Sequence, residues 1–147
     1  MRRLPVYLLL DTSGSMGGEP IEAVKNGVQI MISSLRGNPQ AQETAYISVI
    51  TFDSVANQII PLTDLGSFQM KDIQATGTTA LGEGLKLLSN CIDNEVTKTT
   101  PETKGDWKPL LFLITDGKPS DTMLYSEMIP KIKALNFGVI VGCAVGG

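Results

Sequence analysis

The stretch of the sequence best suited to carry chemistry is LLLDTSGSMGG, residues 8–18, in which Asp11, Ser13 and Ser15 stand at alternate positions. Side chains at every second position of a tight loop can converge on one point. One carboxylate and two hydroxyls form an oxygen-only set of donors, which suits a hard cation such as Mg²⁺ or Mn²⁺. The stretch therefore predicts a metal-binding loop at the end of an apolar strand.

Three other interpretations of this loop compete with the metal site. An EF-hand also uses oxygen ligands, and Glu22 falls at its twelfth position, but its sixth position needs a glycine and here carries Met16. A phosphatase with an aspartyl nucleophile needs a second carboxylate two residues later, where this sequence has Ser13. In the third interpretation the aspartate and the two serines only satisfy a strand-to-helix turn and an N-cap. The loop alone does not decide between this last interpretation and a metal site.

The length and composition of the chain narrow the range of functions. Its 147 residues, 42% of them hydrophobic, are enough for one domain with a sizeable core. No apolar run approaches the roughly 20 residues of a membrane span, and there is no signal-peptide pattern, so we expect a cytoplasmic protein that does not enter a membrane. A net charge of -3 argues against nucleic-acid binding.

Histidine is absent from the sequence. Its absence removes Ser-His-Asp and Cys-His nucleophile pairs and all imidazole metal ligands, which argues against hydrolytic catalysis. The two cysteines, Cys91 and Cys143, lie in apolar patterns without CxxC spacing. They predict buried, reduced thiols rather than a disulfide or a zinc site.

Buried strands are predicted where the sequence is continuously apolar. Leu4–Leu10 and Pro109–Thr115 are runs of this kind, typical of strands buried on both faces of a parallel sheet. Both runs end at a carboxylate, Asp11 in the first case and Asp116 in the second. A third buried strand is predicted at Phe137–Val145.

Helical spacing of apolar residues alternates with these strands. It predicts a first helix over about Pro20–Arg36 and a second one after Thr79, with an apolar face that begins at Leu81. A third helix is predicted over about Thr122–Leu135, where Pro130 implies a kink or a late start.

Residues 45–73 and 97–108, which lie between the predicted helices and strands, have weaker patterns. Ala45–Asp53 and Val55–Pro61 predict an antiparallel hairpin with its second strand at a sheet edge, and Asp53 is interpreted as a turn residue. Thr63–Ile73 reads as a polar connector with one helical turn around residues 68–73. Thr97–Lys108 reads as a surface loop.

Together these elements predict a doubly wound α/β domain with a mainly parallel sheet, one antiparallel edge strand and helices on both faces. In such sheets ligands bind beyond the carboxyl ends of the strands. Asp11 and Asp116 end central strands there, and Thr79 opens a helix at the same level. Thr79 alone would be interpreted as an N-cap. If the strands are adjacent, its hydroxyl meets those of Ser13 and Ser15 and the two carboxylates.

Three motifs in this order, DTSGS, GTTALGEGL and LITDG, resemble the metal-ion-dependent adhesion site (MIDAS) of von Willebrand factor A domains. The resemblance covers essentially the whole chain. It implies that Ser13 and Ser15 bind the cation directly and that Thr79 binds it directly or through water. The carboxylates of Asp11 and Asp116 would act on it largely through water.

Two features depart from the family pattern. The usual GGT of the threonine motif reads Gly77-Thr78-Thr79 here, so Thr78 stays an alternative ligand, although the register favours Thr79. The family's domain also usually continues through another helix, strand and helix, which residues 1–147 lack. We therefore expect either a fragment, lacking those last elements of a single domain, or another structure that covers the exposed surfaces.

The resemblance implies a non-enzymatic, Mg²⁺-dependent protein–protein interaction module, in which a partner's Asp or Glu fills an open position on the metal. The start MRRLPVYLLLDTSGSM looks most like bacterial TerY-type proteins of tellurite resistance and stress response, which suggests Ter proteins or an associated protein kinase or phosphatase as partners. One alternative is a metal-dependent phosphohydrolase, although the nearby carboxylates, Glu19, Glu83 and Asp121, each have a surface-helix explanation. Another is a subunit coupled to an ATPase, with ATP bound elsewhere because the sequence has no P-loop.

Overall fold

The computed structural model of the chain describes residues 2–115, 119–135 and 137–144. The strands of this part are β1 (Leu4–Asp11), β2 (Ala45–Phe52), β3 (Ala56–Asp64), β4 (Leu110–Thr115) and β5 (Val139–Ala144). Its α-helices are α1 (Glu19–Arg36), α2 (Pro39–Thr44), α3 (Leu81–Glu95) and α4 (Thr122–Ala134), and a 3-10 turn covers Gly14–Met16. None of the helices in these residues is long and apolar enough to span a membrane.

Within the described residues the five strands form one sheet in the order β3-β2-β1-β4-β5. β1 is parallel to both β2 and β4, β4 is parallel to β5, and β2 and β3 are antiparallel. The chain winds from β1 outward to β3 on one side and then returns to β4 on the other. The predicted fold class is therefore confirmed, and the carboxyl ends of β1 and β4 lie where the winding reverses.

β1 is buried on both faces because its apolar residues supply two separate cores. Val6, Leu8 and Leu10 pack in one cluster with the apolar side of α1. Tyr7 and Leu9 point the other way and pack with α3 and α4. This two-sided burial explains the continuous apolar run that the sequence shows before Asp11.

Two predicted details of the helices are wrong. Residues 68–73 form no helical turn, because the Arg36 guanidinium binds the carbonyl oxygens of Leu65 and Phe68 and holds this connector in an irregular path. α4 begins at Thr122 and contains Pro130, so the late start is wrong. A short helix, α2, was not predicted; the Asn38 side chain caps it by accepting hydrogen bonds from two backbone N–H groups.

Cys91 is a free thiol buried on α3, as the sequence predicted. Burial, with a smaller contribution from the charge of Glu95, raises the pKa of this thiol to about 11. The thiol is therefore protonated at neutral pH. The side chain of Cys143 lies outside the described residues.

An ion pair holds the amino-terminal residues to the loop before β4. Arg3 Nη2 lies 2.6 Å from Asp106 Oδ2, and Arg3 Nε donates to Asp106 Oδ1 at 3.0 Å. The backbone N–H of Thr97 donates to the same carboxylate at 2.8 Å. Burial alone would raise the pKa of Asp106, but the hydrogen bonds from Arg3 and Thr97 outweigh it and lower this pKa below its usual value.

We expect Asp106→Asn to lower the free energy of unfolding by about 1 kcal/mol at pH 7, a figure reduced for solvent screening. A carboxyl with a lowered pKa in the folded state stabilises the protein above its unfolded pKa of about 3.9, and this contribution is lost as the pH falls through the folded pKa. Urea unfolding should therefore show a smaller difference in the free energy of unfolding between Asp106→Asn and the unmodified protein at pH 3 than at pH 7. Glu102→Gln, in the same loop, is the control. An undiminished difference at pH 3 would contradict the ionic explanation.

Candidate metal centre

Asp11 ends β1, and its side chain is 0% exposed. Oδ1 accepts a hydrogen bond from the backbone N–H of Ser13 at 2.8 Å. Oδ2 accepts one from the hydroxyl of Thr115 at 2.8 Å, and Thr115 is the last residue of the adjacent strand β4. The carboxylate is therefore held in one orientation at the point where the winding of the sheet reverses.

The two serines follow in the loop of residues 12–17, here called the serine loop. Ser13 is buried and Ser15 is exposed, and their hydroxyl oxygens lie 3.0 Å apart. Met16 is fully buried and anchors the 3-10 turn to the core. Two neighbouring ligands of an octahedral Mg²⁺, each about 2.1 Å from the ion, are also separated by about 3 Å. The spacing and the oxygen chemistry of this pair therefore fit a small hard cation.

Residues 75–80, here called the threonine loop, lie directly against the serine loop. The N–H of Thr76 donates to the carbonyl of Thr12 at 2.8 Å, and the N–H of Gly14 donates to the carbonyl of Gly77 at 2.9 Å. Thr79 is half-buried two residues after Gly77. The structure thus brings the backbone that carries Thr79 beside the loop that carries the two serines.

Thr78 and Thr79 differ in their surroundings. The N–H of Thr78 donates to the Ser54 hydroxyl at 3.0 Å, and the Thr78 hydroxyl donates to the same oxygen at 3.3 Å. Gly77 has a φ of +75°, and a Cβ there would lie 2.5 Å from Ser54 Oγ, so only glycine fits the contact between these loops. These bonds turn Thr78 toward the β2–β3 turn. The choice of Thr79 as the ligand stays a prediction.

The simple N-cap interpretation of Thr79 is wrong, because the N-cap position of α3 is Ala80 and no side chain there caps the helix. The carboxylate of Asp121 does so instead: it accepts the N–H of Gly82 at 2.9 Å and that of Glu83 at 2.8 Å. Asp121 therefore binds the start of α3 from the segment before α4. The surface-helix explanation that the sequence suggested for this residue is corrected accordingly.

The segment that precedes α4 also reaches the threonine loop, since the N–H of Ser120 donates to the carbonyl of Thr79 at 2.7 Å. Asp116 lies outside the described residues, so its predicted place at the metal stays a prediction. Its neighbour Thr115 is described and reaches Asp11. Asp53, interpreted as a turn residue, does accept the N–H of Val55 at 3.1 Å.

Sequence reasoning missed two hydroxyls at this centre, those of Thr12 and Thr115. Both side chains are buried, and Thr12 Oγ1 donates to the carbonyl of Phe52 at 3.2 Å. The available signal was that each threonine is adjacent in sequence to a predicted carboxylate, Asp11 or Asp116. Within the residues that the structure describes, no three His, Cys, Asp or Glu side chains cluster as metal ligands. The donor set described here relies on serine hydroxyls instead.

The chain was compared with models of known protein families. The model described as von Willebrand factor type A domain matches residues 6–146. The uncharacterised protein sll0103 of Synechocystis sp. is 36% identical over 124 residues, which is 80% of this chain and 26% of that protein. The chain thus spans about a quarter of the length of this curated relative.

Solved structures with the same fold include proteins of different sources. Proximal thread matrix protein 1 of the mussel byssus superposes with a TM-score of 0.72 at 21% identity, over 96% of this chain and 38% of that one. The pilus adhesin SpaC of Lactobacillus rhamnosus GG superposes with a TM-score of 0.64 at 22% identity, over 82% of this chain and 16% of that one. At these identities the likeness shows the fold alone.

Proposed function

Because the chain belongs to the von Willebrand factor type A domain family, we propose that it is a non-enzymatic protein–protein interaction module with a Mg²⁺ or Mn²⁺ site that binds a carboxylate of the partner. The observation that carries this proposal is the pair of serine hydroxyls 3.0 Å apart beside the buried carboxylate of Asp11. The residues that would hold the cation are those the resemblance implies: Asp11, Ser13, Ser15, Thr79 and Asp116.

The contacts of Asp11 support a division of roles among these residues. Each of its oxygens already accepts a hydrogen bond, one from the Ser13 N–H and one from the Thr115 hydroxyl. These bonds favour a carboxylate that acts on the cation through water, while the hydroxyls of Ser13 and Ser15 contact it directly. A cation bound mainly by neutral hydroxyls keeps most of its positive charge and supplies an attraction for an external carboxylate.

The contacts of Asp121 weaken the phosphohydrolase alternative. That reaction needs a general acid or base near the metal, and the sequence has no histidine. Asp121 was one of three candidate carboxylates, and both of its oxygens accept backbone N–H groups of α3. A subunit coupled to an ATPase would use the same metal site and differ in its partner.

The biological setting that we propose follows from the resemblance to TerY-type proteins. It assigns the protein a role in bacterial tellurite resistance or stress response, a cytoplasmic location, and Ter proteins or an associated protein kinase or phosphatase as partners.

Cation-dependent capture of the partner tests the proposed function. We expect the immobilised protein to retain a partner from a lysate of the source cells in Mg²⁺, and to lose it in EDTA and after Ser13→Ala or Ser15→Ala. Neither substitution changes the charge, so each would act by removing a hydroxyl ligand. Ser34→Ala, at an exposed position of α1, is the matched control. A complex that survives both EDTA and Ser15→Ala would mean that the partner docks on another surface.

A further inference from the structure

A second surface suited to binding a partner lies at the end of the sheet opposite the candidate metal centre, where β1 and β4 begin. Trp107 is the single tryptophan of the chain and is 45% exposed. Arg2, Lys98 and Lys108 surround it. We call these four residues the tryptophan surface. Asp11 and Thr115 end the same two strands, so the candidate metal centre and the tryptophan surface are separated by the length of β1.

The loop that carries this surface, residues 97–108, is held by its own hydrogen bonds. Thr97 and Asp106 are joined twice: the Thr97 N–H donates to the Asp106 carboxylate, and the Asp106 N–H donates to the Thr97 carbonyl at 2.7 Å. The N–H of Trp107 donates to the carbonyl of Arg3 at 2.8 Å. A Cβ on Gly105 would lie 2.3 Å from the Thr97 carbonyl oxygen, so the two sides of the loop are in close contact. The surface is therefore preformed, which reduces the entropy lost on binding.

Trp107 lines two cavities. The first, of about 360 Å³, is lined by Trp107, by the apolar residues Leu4, Leu35 and Ala41, and by the polar residues Asn38, Gln40 and Thr44. The second, of about 310 Å³, is lined by Trp107, by apolar residues that include Ile92, Val96, Pro109 and Leu135, by both lysines of the surface, and by Asp106, which is paired with Arg3. A side chain of a partner that enters either cavity would contact one face or edge of the indole, as buried aromatic anchors do at protein interfaces.

The charge of this region is opposite to that of the whole chain. The Arg2 guanidinium lies 4.5 Å from the centre of the Trp107 ring, and Lys98 and Lys108 border the second cavity. Asp106 is paired with Arg3, and the other acidic residue of the loop, Glu102, is outnumbered by its three lysines, Lys98, Lys104 and Lys108. The chain as a whole carries a net charge of -3. The electrostatic complement of the tryptophan surface is therefore an acidic segment.

We propose that the tryptophan surface docks an acidic segment of a partner protein, which places one aromatic or large apolar side chain beside Trp107 and its carboxylates against Lys98 and Lys108. This binding requires no cation and is independent of the function proposed for the metal centre. A chain with both sites would hold two partners at opposite ends of one sheet.

A designed peptide tests the proposal. The probe is fluorescein-labelled Glu-Asp-Glu-Phe-Glu-Asp-Glu with blocked ends, and its anisotropy is measured in EDTA so that the metal centre does not contribute. We expect saturable binding that changes Trp107 emission and weakens with salt. The double variant Lys98→Gln/Lys108→Gln should bind about tenfold more weakly. Lys71→Gln/Lys86→Gln, which removes the same charge at exposed lysines elsewhere, should bind like the unmodified chain.

A second substitution separates the aromatic contribution from the charge. Trp107→Ala should weaken binding of the peptide at least about tenfold, and Trp107→Phe should retain part of the affinity that Trp107→Ala loses. The proposal is overturned if the peptide does not saturate, if both lysine pairs have equal effects, or if the uncharged Gln-Asn-Gln-Phe-Gln-Asn-Gln peptide binds as tightly. Self-association of the chain through this surface, detected by sedimentation and lost in Trp107→Ala, would also overturn it in favour of a second copy as the occupant.

Discussion

Replacing Asp11 with asparagine is expected to weaken Mn²⁺ binding by about 100-fold, the upper range for residues that support metal ligands. The substitution removes a negative charge from the candidate centre. It also places an NH₂ group where a carboxylate oxygen now accepts from either the Ser13 N–H or the Thr115 hydroxyl. One of those hydrogen bonds is then lost or must be reversed, so the serine loop is displaced as well. Calorimetric titration with Mn²⁺ measures the change.

The matched control for this variant is Asp93→Asn, which removes the same charge at an exposed position of α3. It should leave Mn²⁺ affinity within about twofold of the unmodified chain, since exposed charges act only weakly at a distance. Circular dichroism establishes that both variants are folded. An Asp11→Asn variant that is folded and binds Mn²⁺ within about threefold of the unmodified chain would contradict the assignment of Asp11.

Gly82→Ala is expected to destabilise the fold by about 2–3 kcal/mol, although alanine is intrinsically the better helix residue. A Cβ at this position would lie 2.6 Å from the backbone nitrogen of Tyr125 and 2.9 Å from Asp121 Oδ2. The first atom belongs to the backbone of α4, so α3 and α4 would have to separate. The second belongs to the carboxylate that caps α3, and displacing it would cost about 1 kcal/mol of that total.

Gly27→Ala provides a control with the opposite expected sign. Gly27 lies within α1, and a Cβ there would meet nothing within 4 Å. The substitution should therefore stabilise the protein by up to about 1 kcal/mol through helix propensity. Urea unfolding followed by circular dichroism compares the two variants. Equal effects of the two substitutions on the free energy of unfolding would show that the close contact of α3 with α4 does not exclude a larger side chain at position 82.

The sheet was predictable because its central strands are determined by local pattern. The apolar run before Asp11 is buried on both faces, and the helical periodicity that follows it leaves few ways to connect parallel strands. The predicted burial of the other two apolar strands is wrong. β4 is mostly half-buried, and Val139, Ile140 and Val141 are exposed because β5 is the edge strand of the sheet in the described residues. The connector after β3 was not predictable in this way. Its path depends on Arg36, which reaches carbonyl groups 29 and 32 residues later in the chain. No local pattern reports such a contact.

The candidate centre shows the same division between local and distant effects. The alternation of Asp11, Ser13 and Ser15 is local, and it predicted the loop in which the two serine hydroxyls lie 3.0 Å apart and the Asp11 carboxylate accepts the Ser13 N–H. The hydrogen bond from Thr115 to Asp11 depends on the pairing of β1 with β4, and Asp121 caps a helix that begins 40 positions earlier. These roles follow from the tertiary arrangement, which is why the sequence suggested only surface or strand positions for them.

The most direct test of a cation bound by the serine loop is a crystal structure of the protein grown with Mn²⁺, in which anomalous scattering locates the metal. We predict one anomalous peak per chain, about 2.0–2.3 Å from the hydroxyl oxygens of both Ser13 and Ser15. Under saturating Mn²⁺, the absence of a peak at the serine loop, or a peak bound elsewhere on the chain, would contradict the proposed metal centre.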